Sequence, residues 1–167
     1  ARPTRTATDK QGGPVTVALS PVRGAVVAQP EIPDSLLRGG EVGAGLAVRP
    51  TAAGATRVVA PLEGTLLRAR PDQLVIRTPE GRGLWLGVGV GAERLAGYAA
   101  LCHRGPGEQV GAGDTLVSVD FRALAEAGAE PLCPVLLLDA RPEAIELLAE
   151  PGDALEPGDA LFRTTGR

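Results

Sequence analysis

Few side chains in this chain of 167 residues are placed to move a proton or attack an electrophile near neutral pH. The single histidine, His103, directly follows Cys102 in "LCHRGPGEQV". Neighbouring residues of an extended segment point to opposite sides, so this dipeptide is not a nucleophile–base pair, and His103 reads as a solvent-facing loop residue. Cys102 and Cys133 have no metal-motif spacing and are expected to be reduced, half-buried thiols. The carboxylates Glu31, Asp34, Glu41, Asp114 and Asp120 lie in turn-like sequence, where such groups cap and solubilise. "GVGVGA" at 87–92 is glycine-rich, but no Lys-Ser/Thr pair follows it and its spacing misses the dinucleotide fingerprint. A strand with small residues that allow close backbone approach is the better reading. Neither a metal site nor a cofactor is expected from these residues.

The elements that would position them read as strands. Hydrophobic residues make up 44% of the chain, yet there is no Met and only 2% is aromatic, so the core must come from Val, Leu, Ile and Ala. That mixture suits strands better than helices. The 23 Gly and 15 Pro fall between alternating apolar runs and therefore act as turn punctuation rather than as a sign of disorder. Net charge is −3 with scattered arginines, which argues against a nucleic-acid surface. No apolar run approaches the roughly 18 residues of a membrane span, and "ARPTRTATDKQGGP" has no apolar stretch of a signal peptide and no amphipathic face. We expect a cytoplasmic protein without direct membrane insertion, with residues 1–14 a disordered tail and 15–167 a single domain.

Two internal echoes organise that domain. "SPVRGAVVA" (20–28) and "APLEGTLLR" (60–68) share one form, a strand entered from a Pro and bent at a Gly. "EQVGAGDTLVSVD" (108–120) and "DALEPGDALFRT" (153–164) share another, in which Gly-Asp makes a turn and the following Leu opens the next strand. Repeated strand–turn units predict an all-β sandwich or barrel with quasi-symmetric halves. "LCPVLLLD" (132–139) predicts a strand buried on both faces. Short helices are predicted at 120–128, from its Asp cap and Gly stop, and at 141–150, from Pro142 at its first turn. One helical turn is predicted over 91–97.

The Gly-Asp turn also occurs in biotinyl and lipoyl carrier domains, but those carry their cofactor on a Lys at a hairpin tip, and the only lysine here is Lys10 in the tail. A wider resemblance covers about Ser20 to Thr164. "SPVRGAVV", "IPDSLLRGGEVGAGLAVRPT", "VVAPLEGTL", "GLWLGVGVG", "VGAGDTLVSVD", "PLCPVLLLD" and "PGDALFR" follow in order, and together they resemble the glucose-type enzyme IIA domain of the bacterial phosphoenolpyruvate-dependent sugar phosphotransferase system. The resemblance implies an antiparallel β-sandwich, a duplicated hybrid motif with short peripheral helices, and two histidines facing each other across a shallow apolar depression. One of them receives a phosphoryl group from the phosphocarrier protein and passes it to a IIB domain, while the other hydrogen-bonds that group.

Carried over, the phosphohistidine position is Gly87, its supporting Asp-Thr is Gly91-Ala92, and the partner histidine falls near Asp72. A neutral imidazole is nucleophilic near pH 7, and glycine cannot replace it. The resemblance also implies that partners dock on Leu36, Leu37, Val42, Trp85 and Leu86, with Glu93 at the rim. Three functions are therefore open. The first is a regulatory or protein-binding module that has lost phosphoryl transfer, with the phosphocarrier protein, a IIB domain or a regulated transporter or enzyme as partner. The second is a phosphocarrier acting through His103 or Asp72, and the third a structural β module of a larger transport protein. Zinc hydrolysis, which related sandwiches perform, is excluded by the single histidine.

Overall fold

The computed structural model describes residues 7–8, 14–51, 54–91 and 99–165. In chain order its strands are β1 (Ala7–Thr8), β2 (Pro14–Val15), β3 (Val17–Leu19), β4 (Gly24–Ala28), β5 (Gly43–Pro50), β6 (Ala55–Val59), β7 (Gly64–Arg70) and β8 (Gln73–Arg77). They continue as β9 (Gly83–Gly87), β10 (Ala100–Cys102), β11 (Gln109–Val110), β12 (Thr115–Asp120), β13 (Cys133–Leu138), β14 (Ile145–Leu147), β15 (Ala154–Leu155) and β16 (Ala160–Thr164). Among the described residues they are accompanied by the short helices α1 (Ser35–Arg38) and α2 (Phe121–Glu126). The expected all-β antiparallel fold is the one that forms.

An eight-stranded sheet runs β11-β7-β8-β9-β13-β5-β4-β15, and two three-stranded sheets run β10-β12-β6 and β14-β16-β3. This order is a palindrome about the β9–β13 pair. Across that pseudo-dyad β8 answers β5, β7 answers β4, β11 answers β15, and one small sheet answers the other. The two echoes of the sequence are its two copies, and they bond each other directly: Leu19 N–H donates to the Pro61 carbonyl at 2.8 Å, and Val59 N–H to the Pro21 carbonyl at 2.9 Å. Further bonds repeat in pairs. Val26 N–H donates to Asp153 and Leu66 N–H to Glu108, while Leu148 N–H donates to Leu161 and His103 N–H to Leu116. Even the strand irregularities repeat, between Thr115 and Val117 in β12 and between Ala160 and Phe162 in β16.

Each echo bends at its glycine because nothing larger fits. A Cβ on Gly24 would run into the Arg49 carbonyl, and one on Gly64 into the Arg77 carbonyl, each on the neighbouring strand. The Gly-Asp turn occurs more often than the sequence suggested, at Gly111–Asp114, Glu150–Asp153 and Glu156–Asp159, with a Gly-Glu version at Gly105–Glu108. In each, the fourth residue's N–H returns to the first residue's carbonyl, the third residue is a glycine with φ between 90 and 95°, and the closing carboxylate accepts the first residue's N–H. Three of the four have Pro at the second position, the sequence of a type II turn.

The main core lies between the eight-stranded sheet and the two small ones. Strict alternation feeds it: Leu84 and Leu86 of β9, Cys133, Val135 and Leu137 of β13, and Ala44, Leu46 and Val48 of β5 all point inward. The opposite face of the same strands carries a second cluster of Ile32, Leu37, Ala47, Val90, Leu132 and Leu136, with Val42 and Trp85 packed against it. Strand β13 thus supplies both clusters, as its unbroken apolar run predicts.

Helix α2 begins as expected, with the Asp120 carboxylate accepting from Ala123 N–H at 3.0 Å and Gly128 beyond its end at φ 105°. The helix expected at 141–150 does not form. A 3₁₀ turn covers Pro142–Ala144, and the chain then becomes β14, paired with β16 through Ile145↔Thr164 and Leu147↔Phe162. A neighbouring strand that can bond the backbone outweighs a helical apolar pattern of modest length. In the 1–14 segment read as a disordered tail, Ala7–Thr8 pairs with Pro14–Val15; the remainder, like the turn expected at 91–97, lies outside the described residues or mostly so. No helix among the described residues is long and apolar enough to cross a membrane.

The cysteines divide. Cys102 is half-buried as expected, whereas Cys133 is fully buried because it points into the main core. Burial pushes the Cys133 thiol up to about 12, and the Cys102 thiol is also raised, first by burial and then by the charge of Asp72. Since the thiolate is the reactive form, a thiol reagent at pH 8 should modify Cys102 slowly and Cys133 only after denaturation; two equivalents reacting in the native protein would contradict this packing. Gly64→Val should destabilise the domain by about 2–3 kcal/mol in a denaturant titration, because the close strand approach must open.

Candidate functional site

The outer face of β8 and β9 holds the residues that the sequence brought forward. Strand pairing sets Gln73 opposite Gly87 and Val75 opposite Trp85, and Val88 N–H donates to the Asp72 carbonyl at 2.8 Å. Gly87 and the Pro71–Asp72 turn are therefore neighbours, as a pair of facing functional positions requires. The pairing partner of Gly87 is Gln73 rather than Asp72, one residue further along.

The space above Gly87 is filled. A Cβ built there would meet Pro134 Cδ and the six-membered edge of the Trp85 indole, all at 2.9 Å. Trp85 precedes Gly87 by two residues, so its ring projects from the same face of β9. Its Nε1–H donates to Gln73 Oε1 at 3.1 Å, and that oxygen also accepts from an Arg68 guanidinium nitrogen at 3.4 Å. The glutamine thus fixes the indole over the glycine and satisfies its only polar atom, as a half-buried Trp requires. Pro134 stands opposite on β13, so the covering extends across the strand pair.

Beside the indole lies a depression of about 130 Å³ bordered by Leu36, Leu37, Val42, Trp85, Asp72 and Val90. Helix α1 brings two of these residues. Its start is fixed by Asp34, whose carboxylate accepts from Leu36 N–H at 3.0 Å and Leu37 N–H at 3.1 Å. Leu37 is buried in the small outer cluster, and Leu36 stands 56% exposed at the edge. Gln29 fastens the connection behind the helix, its amide donating to the Leu37 and Gly43 carbonyls at 2.7 and 2.8 Å and accepting from Gly45 N–H at 3.2 Å.

Of the five residues expected to form a docking surface, four gather here: Leu36, Leu37, Val42 and Trp85. Leu86 does not. It is fully buried on the inner face, because the two-residue period of β9 turns it away from Trp85. Sequence reasoning missed Gln73 and Pro134, which hold or cover the indole; the alternation of β8 and its pairing with β9 was the signal that would have found Gln73.

Chemically the face offers apolar contact bordered by carboxylates and little else. His103 is exposed in the connection after β10, with Nε2 at 2.7 Å from the Ser118 hydroxyl of β12. Among the described residues no group of three or more His, Cys, Asp or Glu is arranged to hold a metal ion. A depression of about 130 Å³ is also well below the 300–1,000 Å³ typical of small-molecule sites.

Comparison with known proteins agrees with this architecture. The solved structure of glucose permease IIA from Mycoplasma capricolum superimposes with a TM-score of 0.78 over 89% of this chain and 95% of that one, at 23% sequence identity. The glucose-specific EIIA component of Bacillus cereus is 27% identical over 121 residues, 71% of this chain and 72% of that protein. The beta-glucoside-specific EIIBCA component of Bacillus subtilis is 28% identical over 145 residues, 86% of this chain. The chain spans only 23% of the length of that relative and 22% of the mannose-specific EIIBCA component of Corynebacterium glutamicum. Residues 16–142 match the family described as phosphoenolpyruvate-dependent sugar phosphotransferase system, EIIA 1, and with a matching fold the chain belongs to that family.

Proposed function

We propose that this EIIA-family domain has lost phosphoryl transfer and acts as a regulatory or protein-binding module within a sugar phosphotransferase system. The observation that carries the reading is the covering of Gly87 by the Trp85 indole and Pro134. A residue that accepts a phosphoryl group must present a nucleophile to its donor and leave room for the tetrahedral group between them. Here the position has neither nucleophile nor room. Gln73, at the facing position, has its oxygen engaged by Trp85 and Arg68. Asp72 as an aspartyl-phosphate site would call for neighbouring acidic groups that hold a metal, and no such cluster is found among the described residues.

Binding remains well provided for. Leu36, Val42 and Trp85 form a partly exposed apolar surface, and half-buried aromatic residues in well-packed surroundings are the usual anchors of interfaces. The partner would be the phosphocarrier protein, a IIB domain or a transporter or enzyme under regulation, in the cytoplasm. Asp34 and Asp72 at the border favour a partner that surrounds an apolar residue with basic ones.

Incubation with phosphoenolpyruvate, enzyme I and the phosphocarrier protein should leave the intact mass unchanged, and a stoichiometric phosphoryl adduct would overturn the proposal. Gly87→His should also remain unmodified while losing about 1–3 kcal/mol of stability, since the new side chain must displace the indole. Calorimetric titration with the phosphocarrier protein and with a IIB domain of the same system should detect binding to at least one of them. Trp85→Ala should weaken that binding by tenfold or more, about 1.4 kcal/mol. Unchanged affinity would show that partners dock elsewhere.

A further inference from the structure

A second concavity lies away from the Trp85 face, where β14 passes the starts of β4–β5 connection and β5. It has a volume of about 560 Å³, and its wall and floor include Ala28, Leu46, Ile145 and Leu147, with Arg38 and Arg141 among its bordering residues. Its origin lies in a break of the internal symmetry. Between β7 and β8 the chain turns through Pro71–Asp72 alone, whereas the equivalent link between β4 and β5 runs from Gln29 to Val42 and carries α1. The longer link stands off from β14 and leaves a groove between them.

Three features define what this groove would hold. Its walls are apolar, and Leu147, which shares a face of β14 with the half-buried Ile145, is 51% exposed. Its volume falls within the 300–1,000 Å³ of small-molecule sites, unlike that of the depression at Trp85. The charged side chains bordering it are the two arginines, with no Lys, Asp or Glu among the lining residues. Gln29, the other polar side chain, has both ends of its amide committed to the backbone of the β4–β5 link. Neither Arg38 nor Arg141 has a side-chain hydrogen bond or ion pair among the described residues. Arg141 also borders a neighbouring polar cleft containing Arg82, Asp139 and Glu143, so one end of the groove opens toward polar surroundings. The N-terminal segment is a poor occupant, because Arg2, Arg5 and Lys10 outnumber Asp9 and share the sign of the rim.

We propose that this groove is a binding site for a small amphipathic carboxylate, an acid with an apolar body. The planar, singly charged head pairs with the guanidinium groups, whose fork of donors matches a carboxylate. The apolar body lies against Leu46, Ile145 and Leu147. Burial of the body supplies affinity, and the arginines select the sign of the head.

The test is calorimetric titration of the full chain with decanoate below its micellar concentration, alongside acetate and decyltrimethylammonium. Decanoate should show one saturable site, acetate none, and the cationic amphiphile at least tenfold weaker binding. Arg38→Glu combined with Arg141→Glu should reduce decanoate affinity at least tenfold and narrow or reverse the preference over the cation. Leu147→Asp should remove decanoate binding. All three side chains are exposed, and the panel of ligands on the unsubstituted protein tests the proposal independently of any variant. Absence of a saturable decanoate site, equal affinity for both amphiphiles, or unchanged affinity in the double variant would each overturn it.

Discussion

The reciprocal pair of backbone hydrogen bonds between Leu19 and Pro61 and between Val59 and Pro21 holds the two halves of this domain in one arrangement. Each half enters a strand from a proline, whose carbonyl remains free to accept from the other half. Each then bends at a glycine packed against a neighbouring carbonyl. Once these segments are crossed, the strands that follow can pair only outward, and the palindromic eight-stranded sheet results. The large core closes on its inner side because the small sheets are tied back by the same contacts, repeated through Asp114 and Asp159, whose carbonyls accept from Ala60 and Ser20.

The Trp85 face depends on what lies near the axis of that symmetry. Trp85 pairs with Leu136 across β9 and β13, and the next outward positions toward one end are Gly87 and Pro134, which lie opposite each other. The missing side chain of the glycine leaves room for the edge of the indole beside the proline, and Gln73 then secures it. The symmetry itself provides no such cover. It comes from the side chains at these few positions.

Much of this architecture was legible in the chain. The two Pro-to-Gly echoes marked the duplicated halves, and the Gly-Asp turns marked two of the strand junctions. The alternation of "GLWLG" and the unbroken run "CPVLLL" distinguished a one-sided strand from a two-sided one. Other features were hidden for physical reasons. Residues 141–150 carry helix-compatible apolar spacing, and only the presence of β16 alongside makes β14 a strand. Leu86 belonged to the right strand but the wrong face, an error that strict two-residue alternation could have prevented. The turn at Gly105–Glu108 went unread because it closes with Glu and leads to Val110 rather than Leu, whereas Glu150–Asp153 carries the same Gly-Asp-Ala-Leu run as Glu156–Asp159 and could have been read. The groove beside β14 could not be seen at all, since it arises from unequal links between equivalent strands.

The pairing of β3 with β16 brings the two ends of the domain side by side, with Val17 opposite Arg163 and Thr164 N–H donating to the Thr16 carbonyl. A flexible tether attached at either end would therefore leave from the same spot, on a small sheet rather than on the outer face of β8 and β9. Such a module can be carried at the front or the back of a longer polypeptide with little change in the direction its Trp85 face looks, and a pull on both ends would load the β3–β16 ladder before it reached that surface.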